Sequence, residues 1–566
     1  MVVVKKIPYG ICNYRKLQEE GYVYVDKTSY LEKLEDVGST LVYLRPGRFG
    51  KTLFTSMMYY YYDIKSEALF DSLFKNTYIY KYPTVRKNKY YILKLDFSNI
   101  KTSNMNELEI EQEFNTKVVV GIKEFLTHYD LKGDNFEFTK ASNHLLLDFF
   151  SYFNSLKLEE KLYIIIDEYD NFTNAILEGE GTRFKNLVGN EGIVKNFYST
   201  IKEYVGLGIV DRVFMTGICP ITLDSMTTGF NIAKDISRDI DFTTMIGLTH
   251  AEVKKLLDEV EEEKQDEIYK LMISHYDGYL FNKGQEEKSF NATLVMYFLD
   301  YYYRLNQIPD NLIDVNIAFN YGKVENLIKL YRNNYYQDIL NELFTTDTVS
   351  GVLKEKFNLE YDFTKDDIIS LLYYFGYLTI DKGLLGNSYL FKIPNYVMKE
   401  TYTNYFIHIL NEENITFNQD KLNECMYEVL EEGKINKLTN YISEILGYAD
   451  KRTFIQFDEK YIQLLYFAML MNYHEVSTYT EYPVNNGYID LMLFKNSEIS
   501  KYDIMIELKY LKKSDYRKNK KLLILKKEEA TNQLESYAKD ERIPKDSLKK
   551  YIVTFIGEKL EGIEEI

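Results

Sequence analysis

Three cysteines in 566 residues, Cys12, Cys219 and Cys425, are odd in number and far apart. That excludes both a disulfide framework and a Cys-x-x-Cys metal site, and suits buried thiols in a reducing compartment. Six scattered histidines offer no His-x-x-x-His pair, so any metal ion must be held by oxygen. No apolar run reaches eighteen residues, and the opening MVVVKKIPYG turns polar and meets Pro8 almost at once. Neither a membrane span nor a secretory signal is expected, which points to a soluble cytoplasmic protein with no membrane partner. Basic charge is short overall, 69 Lys and Arg against 86 Asp and Glu for a net −17, which argues against a nonspecific nucleic-acid coat. One local exception runs from Lys509 through Lys512, Lys513, Arg517, Lys518, Lys520 and Lys521 to Lys526 and Lys527, with Asp515 alone opposing it.

What is present is an alternation of short apolar runs with amphipathic helical sequence. STLVYLR (39–45), YYILKLDFS (90–98), KLYIIIDEYD (161–170) and DRVFMTGICPI (211–221) read as buried parallel strands of an α/β sheet, with DFTTMIGLT (241–249) as a fifth. Thr249 and Glu252 match a capping box that opens one long charged helix. From about 250 to 450 the pattern is mostly helical. Thr364 caps a helix, and the alternating GLLGNSYLFKIPN after it predicts a hairpin, compatible with a winged-helix-like unit or with a helical spacer. The last 115 residues change character: helix, three strands, a long helix and a final strand, an α-β-β-β-α-β order.

The first chemistry sits in RPGRFGKT (45–52). A phosphate loop needs a strand that delivers the chain, backbone N–H groups curled round the anion at a helix N-terminus, and a lysine for the outer phosphates. LVYLR is the strand, Arg45, Pro46, Gly47, Arg48, Phe49 and Gly50 form the loop, Lys51 is the cation, and Thr52 is the hydroxyl that would hold Mg²⁺. Arg45 stands where G-x-x-x-x-G-K-[ST] asks for glycine. Downstream, Tyr163 to Glu168 is an apolar strand ending in two carboxylates: Asp167 to meet the Mg²⁺ shell and Glu168 to polarise an attacking water. The strand inserted between loop and acidic strand, and Glu168 directly after Asp167, suggest an ATPase rather than a kinase or GTPase. Thr216, in VFMTGICPI, falls where a polar sensor would approach the γ-phosphate.

With these blocks in order, IPYGICNYRKLQEEGYVYVDKT (7–28), RPGRFGKT, IIIDEYD (164–170), TGICPI (216–221) and YDGYLF (276–281), the N-terminal half resembles the AAA-ATPase-like family of bacterial and archaeal P-loop ATPases over roughly residues 5–300. In that family the loop opens with Arg-Pro, so the resemblance implies that Arg45 and Arg48 belong to a working variant. It also implies ATP as a ligand.

The second chemistry is Asp490 in GYIDLMLF with Glu507 and Lys509 in MIELKY. Strand alternation puts Glu507 and Lys509 on one face, and Asp490 joins them if the two strands pair. Two carboxylates bind Mg²⁺, and a lysine beside them orients water and offsets charge at phosphorus. Gln533 and Tyr537 share one face of the following helix, and Glu459 on the preceding helix could add an acid. Residues from about 455 to 566 thus resemble the PD-(D/E)XK nuclease superfamily, in its pairing with an AAA-ATPase-like domain. There the aspartate, glutamate and lysine are the catalytic residues, which fall on Asp490, Glu507 and Lys509; Ile489 replaces the motif proline.

The expected architecture is a P-loop ATPase core with a parallel sheet (1–250), a helical lid (251–320), a helical and winged-helix-like spacer (321–453) and an α/β restriction-endonuclease-like domain (454–566). The expected activity is ATP-dependent cleavage of nucleic acid, DNA foremost, with Mg²⁺ and a role in defence against phage or mobile DNA. The competing expectation is a nucleotide-dependent switch that binds nucleic acid or protein without cutting. Homo-oligomerisation, with an arginine supplied by a second subunit, stays open because no one arginine stands out.

Overall fold

The computed structural model describes residues 6–98, 100, 105–133, 136–171, 192–220, 230–258, 260–309, 311–313, 339–340, 342–343, 346–357, 363–412, 414–449, 458–473, 475–496 and 499–566. Ile221 of the fourth predicted strand, residues 321–338 of the predicted spacer and the predicted boundary at 453/454 lie outside them. The chain forms two compact units. The first holds the described residues up to 313 and those of 350–397; the second holds those of 339–349 and 398–566.

The first unit is built on a parallel sheet of β1 (Thr40–Leu44), β2 (Tyr90–Asp96), β3 (Lys161–Asp167), β4 (Val210–Gly217) and β5 (Lys234–Asp235), in the order β2-β3-β4-β1-β5. All five residues of β1 and the last six of β3 are buried, as expected of strands covered on both faces. The helix Lys51–Tyr62 packs on β2 and β3, and Glu107–His128, opened by an Asn106/Glu109 capping box, packs on β2. β4 lies between the phosphate-loop strand and the acidic strand, while YYILKLDFS forms the outer edge.

Two sequence expectations give way here. DFTTMIGLT is not the fifth strand: it begins in a short 3₁₀ turn, Ile240–Phe242, and β5 lies upstream at Lys234–Asp235. The reason is long-range, because the carbonyls of Phe242 and Thr243 accept hydrogen bonds from the buried Arg45 guanidinium instead of a neighbouring strand. The long charged helix after Thr249 is two helices, His250–Leu256 and Glu262–Tyr276; the first keeps its capping box.

The predicted hairpin is present as β7 (Thr379–Gly383) and β8 (Ser388–Lys392), antiparallel. β6 (Thr348–Val352), unforeseen, joins them in the order β6-β8-β7, and the capped helix Lys365–Tyr374 precedes the hairpin.

The second unit carries a mixed sheet of β9 (Val476–Val484), β10 (Gly487–Lys495), β11 (Asp503–Leu511), β12 (Leu548–Ile556) and β13 (Lys559–Glu565), in the order β13-β12-β11-β10-β9. β11 and β12 are parallel and the other pairs antiparallel. The helix Glu459–Leu470 packs against β9 and β11, and Lys521–Tyr537 packs on β10, β11 and β12. The order expected from sequence is present with β13 added, because the last expected strand turns at Gly557 and pairs back on itself.

Candidate functional sites

At the end of β1 the chain turns through Arg48 (φ 68°) and Gly50 (φ 105°) into the helix Lys51–Tyr62. Lys51 is buried, and its ammonium donates to the carbonyls of Arg45 and Pro46 (3.1 Å each) and lies 3.5 Å from Glu168. Glu168 reaches it because the backbone there is left-handed (φ 53°). Consecutive strand residues point to opposite faces, and this twist brings the second acid round to the loop. Asp167 is buried; desolvation and the charge of Glu168 push its carboxyl up to about 6, against the pull of the Thr52 hydroxyl and of Lys51. Its Oδ2 accepts from Thr55 (3.3 Å), and its Oδ1 has no hydrogen-bond partner among the described residues. An uncompensated buried carboxylate oxygen beside a threonine hydroxyl and a lysine suits a hard divalent cation bridging to phosphate.

Arg48, Phe49, Gly50, Lys51, Thr52 and Glu168 line a cavity of about 360 Å³ whose other walls include Gly10 to Cys12, Val23 to Val25, Lys27, Met245 to Leu248, Ala292, Thr293 and Met296. Arg48 is exposed at its rim. Arg45 does not line it. Its guanidinium, 2% exposed, donates to the carbonyls of Leu44 (2.8 Å), Ser237 (2.7 Å), Phe242 (3.1 Å) and Thr243 (3.2 Å) and lies over the rings of Tyr43 and Phe281. Pro46 packs against Gly376, whose positive φ (84°) disfavours a side chain and where a Cβ would lie 2.8 Å from that of Pro46. Phe49 is clamped edge-on between Tyr279 and Phe281. The YDGYLF block is therefore the packing partner of the loop's arginine and phenylalanine.

Thr216 is fully buried in β4; among the described residues its hydroxyl has no hydrogen-bond partner, and it does not line the cavity. Sequence reading missed Thr55, one turn beyond Thr52 on the same helix face, and Asp170. The buried Asp170 carboxylate accepts from the N–H groups of Ile218 (3.0 Å) and Cys219 (2.7 Å), which ties the acidic strand to the end of β4. Gly217 must be glycine, since a Cβ there would lie 2.3 Å from that carboxylate.

In the second unit β10 and β11 pair from Leu491–Leu493 to Ile504–Ile506, one residue short of Asp490. Its carboxylate takes the next N–H instead: Oδ2 accepts from Leu508 N (2.7 Å) and Oδ1 from Gln463 Nε2 (2.9 Å). Glu507 Oε1 accepts from Lys509 Nζ (2.8 Å), and Glu507 Oε2 is buried without a hydrogen-bond partner among the described residues. Asp490, Glu507 and Lys509 are each less than a tenth exposed. Burial, then the charges of Glu507 and Glu459, hold the Asp490 carboxyl well above the usual range; burial likewise raises Glu507, against Lys509.

Glu459, at the start of its helix, accepts from Tyr510 N (3.3 Å). Gln533 donates to Tyr537 (3.5 Å), and its buried carbonyl oxygen is unpartnered. Gly487 (φ 146°) lets the Tyr537 hydroxyl approach to 2.7 Å of where a Cβ would stand. Among the described residues no three His, Cys, Asp or Glu gather as an all-protein metal cage. Two crowded carboxylates with one idle oxygen match a magnesium site completed by water and phosphate oxygens. The Gln463 and Glu481 side chains beside Asp490 were not foreseen.

After Lys509 the chain forms the helices Lys513–Lys518 and Lys521–Tyr537. Lys513 and Lys527 pair with Glu558 and Glu564, whereas Lys512, Arg517, Lys518, Lys520 and Lys521 are exposed. Among the described residues no helix is long and apolar enough to cross a membrane.

Comparison with known proteins agrees with this geometry. Residues 8–227 match the family model described as predicted AAA-ATPase, and residues 457–565 match that of the PD-(D/E)XK nuclease superfamily. A protein of Azotobacter chroococcum mcd 1, named only as an uncharacterized protein in the vnfD 5′ region, is 25% identical over 251 residues, 44% of each chain. The match therefore spans less than half of that relative's length. The chain joins an AAA-ATPase-like domain to a domain of the PD-(D/E)XK nuclease superfamily.

Proposed function

We propose that this protein is an ATP-regulated, Mg²⁺-dependent nuclease acting on DNA. The observation that carries the reading is the convergence of Asp490, Glu507 and Lys509 in one buried cluster, with a Glu507 oxygen left unpartnered. Asp490 and Glu507 would hold a divalent ion, which supplies Lewis-acid stabilisation of charge at phosphorus and a more acidic bound water. Lys509, fixed by Glu507, stands ready to orient that water and to offset the developing negative charge. The exposed Arg517, Lys518, Lys520 and Lys521 would take the phosphate backbone, where contacts carry affinity without sequence choice.

In the first unit Lys51, Arg48 and the loop backbone would hold the phosphates, Thr52 and Asp167 the magnesium shell, and Glu168 the attacking water. Lys51 would leave the Arg45 and Pro46 carbonyls for the phosphates. Nucleotide occupancy would control cutting, and an ATPase joined to a nuclease suits defence against phage or mobile DNA. The test incubates wild type, Asp490→Asn and Lys51→Ala with supercoiled plasmid, Mg²⁺ and ATP. Wild type should nick the plasmid and Asp490→Asn should bind without nicking. Lys51→Ala should lose nucleotide binding and, with it, the ATP dependence of nicking. A wild type that neither turns over ATP nor cuts nucleic acid defeats the reading and favours a binding switch.

A further inference from the structure

Glu481 lies inside β9, yet its backbone is left-handed (φ 53°), a conformation costly for a residue with a Cβ. β9 and β10 pair Tyr482 with Ile489 and Thr480 with Leu491, so Glu481 stands opposite Asp490. The Gln463 side-chain nitrogen donates both to Glu481 Oε1 (3.2 Å) and to Asp490 Oδ1 (2.9 Å), and Gln463 is 3% exposed. Lys460, one helical turn before Gln463 on the same helix, pairs with the same Glu481 oxygen.

We propose that Glu481 is a positioning residue for the Asp490 metal ligand, acting through the Gln463 amide. A carboxamide presents donors on one side and an acceptor on the other. With Glu481 in place both of its neighbours are acceptors, so the NH₂ end must face Asp490. Without Glu481 the amide can turn and offer its oxygen to Asp490, which repels that carboxylate and lets it rotate. Leu508 N–H and Gln463 Nε2 each occupy one lone pair of Asp490, which aims the remaining lone pairs at the place between Asp490 and Glu507. The strained backbone of Glu481 is what the strand gives up to deliver that carboxylate. The proposal rests on the nuclease reading, and its test separates the two.

Mn²⁺ is titrated calorimetrically into the full chain without nucleotide, for wild type, Asp490→Asn, Glu481→Gly, Glu481→Gln and Gln463→Leu, with thermal midpoints measured beside it. Asp490→Asn should abolish the site; if it binds Mn²⁺ as wild type does, the metal reading itself is lost. Glu481→Gly relieves the left-handed strain, so its midpoint should stay equal or rise while Mn²⁺ affinity falls roughly tenfold or more. Gln463→Leu should fall likewise. Glu481→Gln keeps an acceptor for Gln463 and should bind within about threefold of wild type, against that tenfold loss. If Asp490→Asn abolishes binding but Glu481→Gly binds as wild type, or if Glu481→Gly loses affinity only together with a fallen midpoint, the positioning role is overturned.

Discussion

At the scale of single residues, the arginine that opens the phosphate loop has changed meaning. The resemblance makes it a feature of the family's loop, and the geometry turns its charge away from the cavity. A buried guanidinium without a salt bridge among the described residues is tolerable because four carbonyls and two rings receive it. Arg45→Leu should therefore strand those carbonyls and destabilise the first unit by about 3 kcal/mol, read from the urea midpoint. Were Arg45 a phosphate ligand instead, the substitution would weaken nucleotide binding and leave the midpoint in place. None of the four acceptors could be foreseen. Three of them lie 192 to 198 residues away in sequence, and carbonyl acceptors carry no side-chain signature.

Among secondary-structure elements, the basic stretch after Lys509 shows how far patterning reaches. Its charge was plain in the sequence, and so was the following helix, but two of its lysines are paired with Glu558, in the turn after β12, and with Glu564, on the unforeseen β13. The exposed remainder predicts a quantity. Replacing Arg517, Lys518, Lys520 and Lys521 with glutamine should weaken binding alike for any DNA sequence. It should also lower the slope of log affinity against log salt by about 3 to 4, as expected for four lost phosphate contacts. An unchanged slope in a filter-binding titration would place the DNA elsewhere. The same level explains the misread fifth strand: DFTTMIGLT has strand-like residues, but hydrogen bonds to Arg45 fix its first turn and Met245 to Leu248 wall the cavity beside the phosphate loop.

For the whole molecule, stability against pH turns on a group outside either site. His275, 5% exposed, donates from Nδ1 to the Leu271 carbonyl (2.9 Å), and burial lowers its pKa to about 4 from the usual 6.5. The unfolded chain then takes up a proton more readily than the folded one. Stability is full above about pH 6.5 and is lost as pH falls toward 4, by about 3 kcal/mol in all. Thermal midpoints of the first unit, followed from pH 7.5 down to 4.5, should fall, and His275→Asn should flatten that part of the decline. An equal decline in both proteins would assign it to the carboxylates.

Sequence alone determined most of the elements and the candidate site residues they carry. Apolar runs of strand length, the Gly-Lys-Thr helix start, the acidic strand end and the Asp, Glu-x-Lys pair are local patterns. Local patterns survive because backbone periodicity and hydrophobic burial act over a few residues. The tertiary structure alone decided which side chains hold those groups in place. Arg45 serves the loop's frame, Asp170 ties β3 to β4, and a left-handed glutamate steadies the amide that steadies Asp490. Each depends on partners brought together across 18 to 198 residues, at positions that no spacing rule constrains.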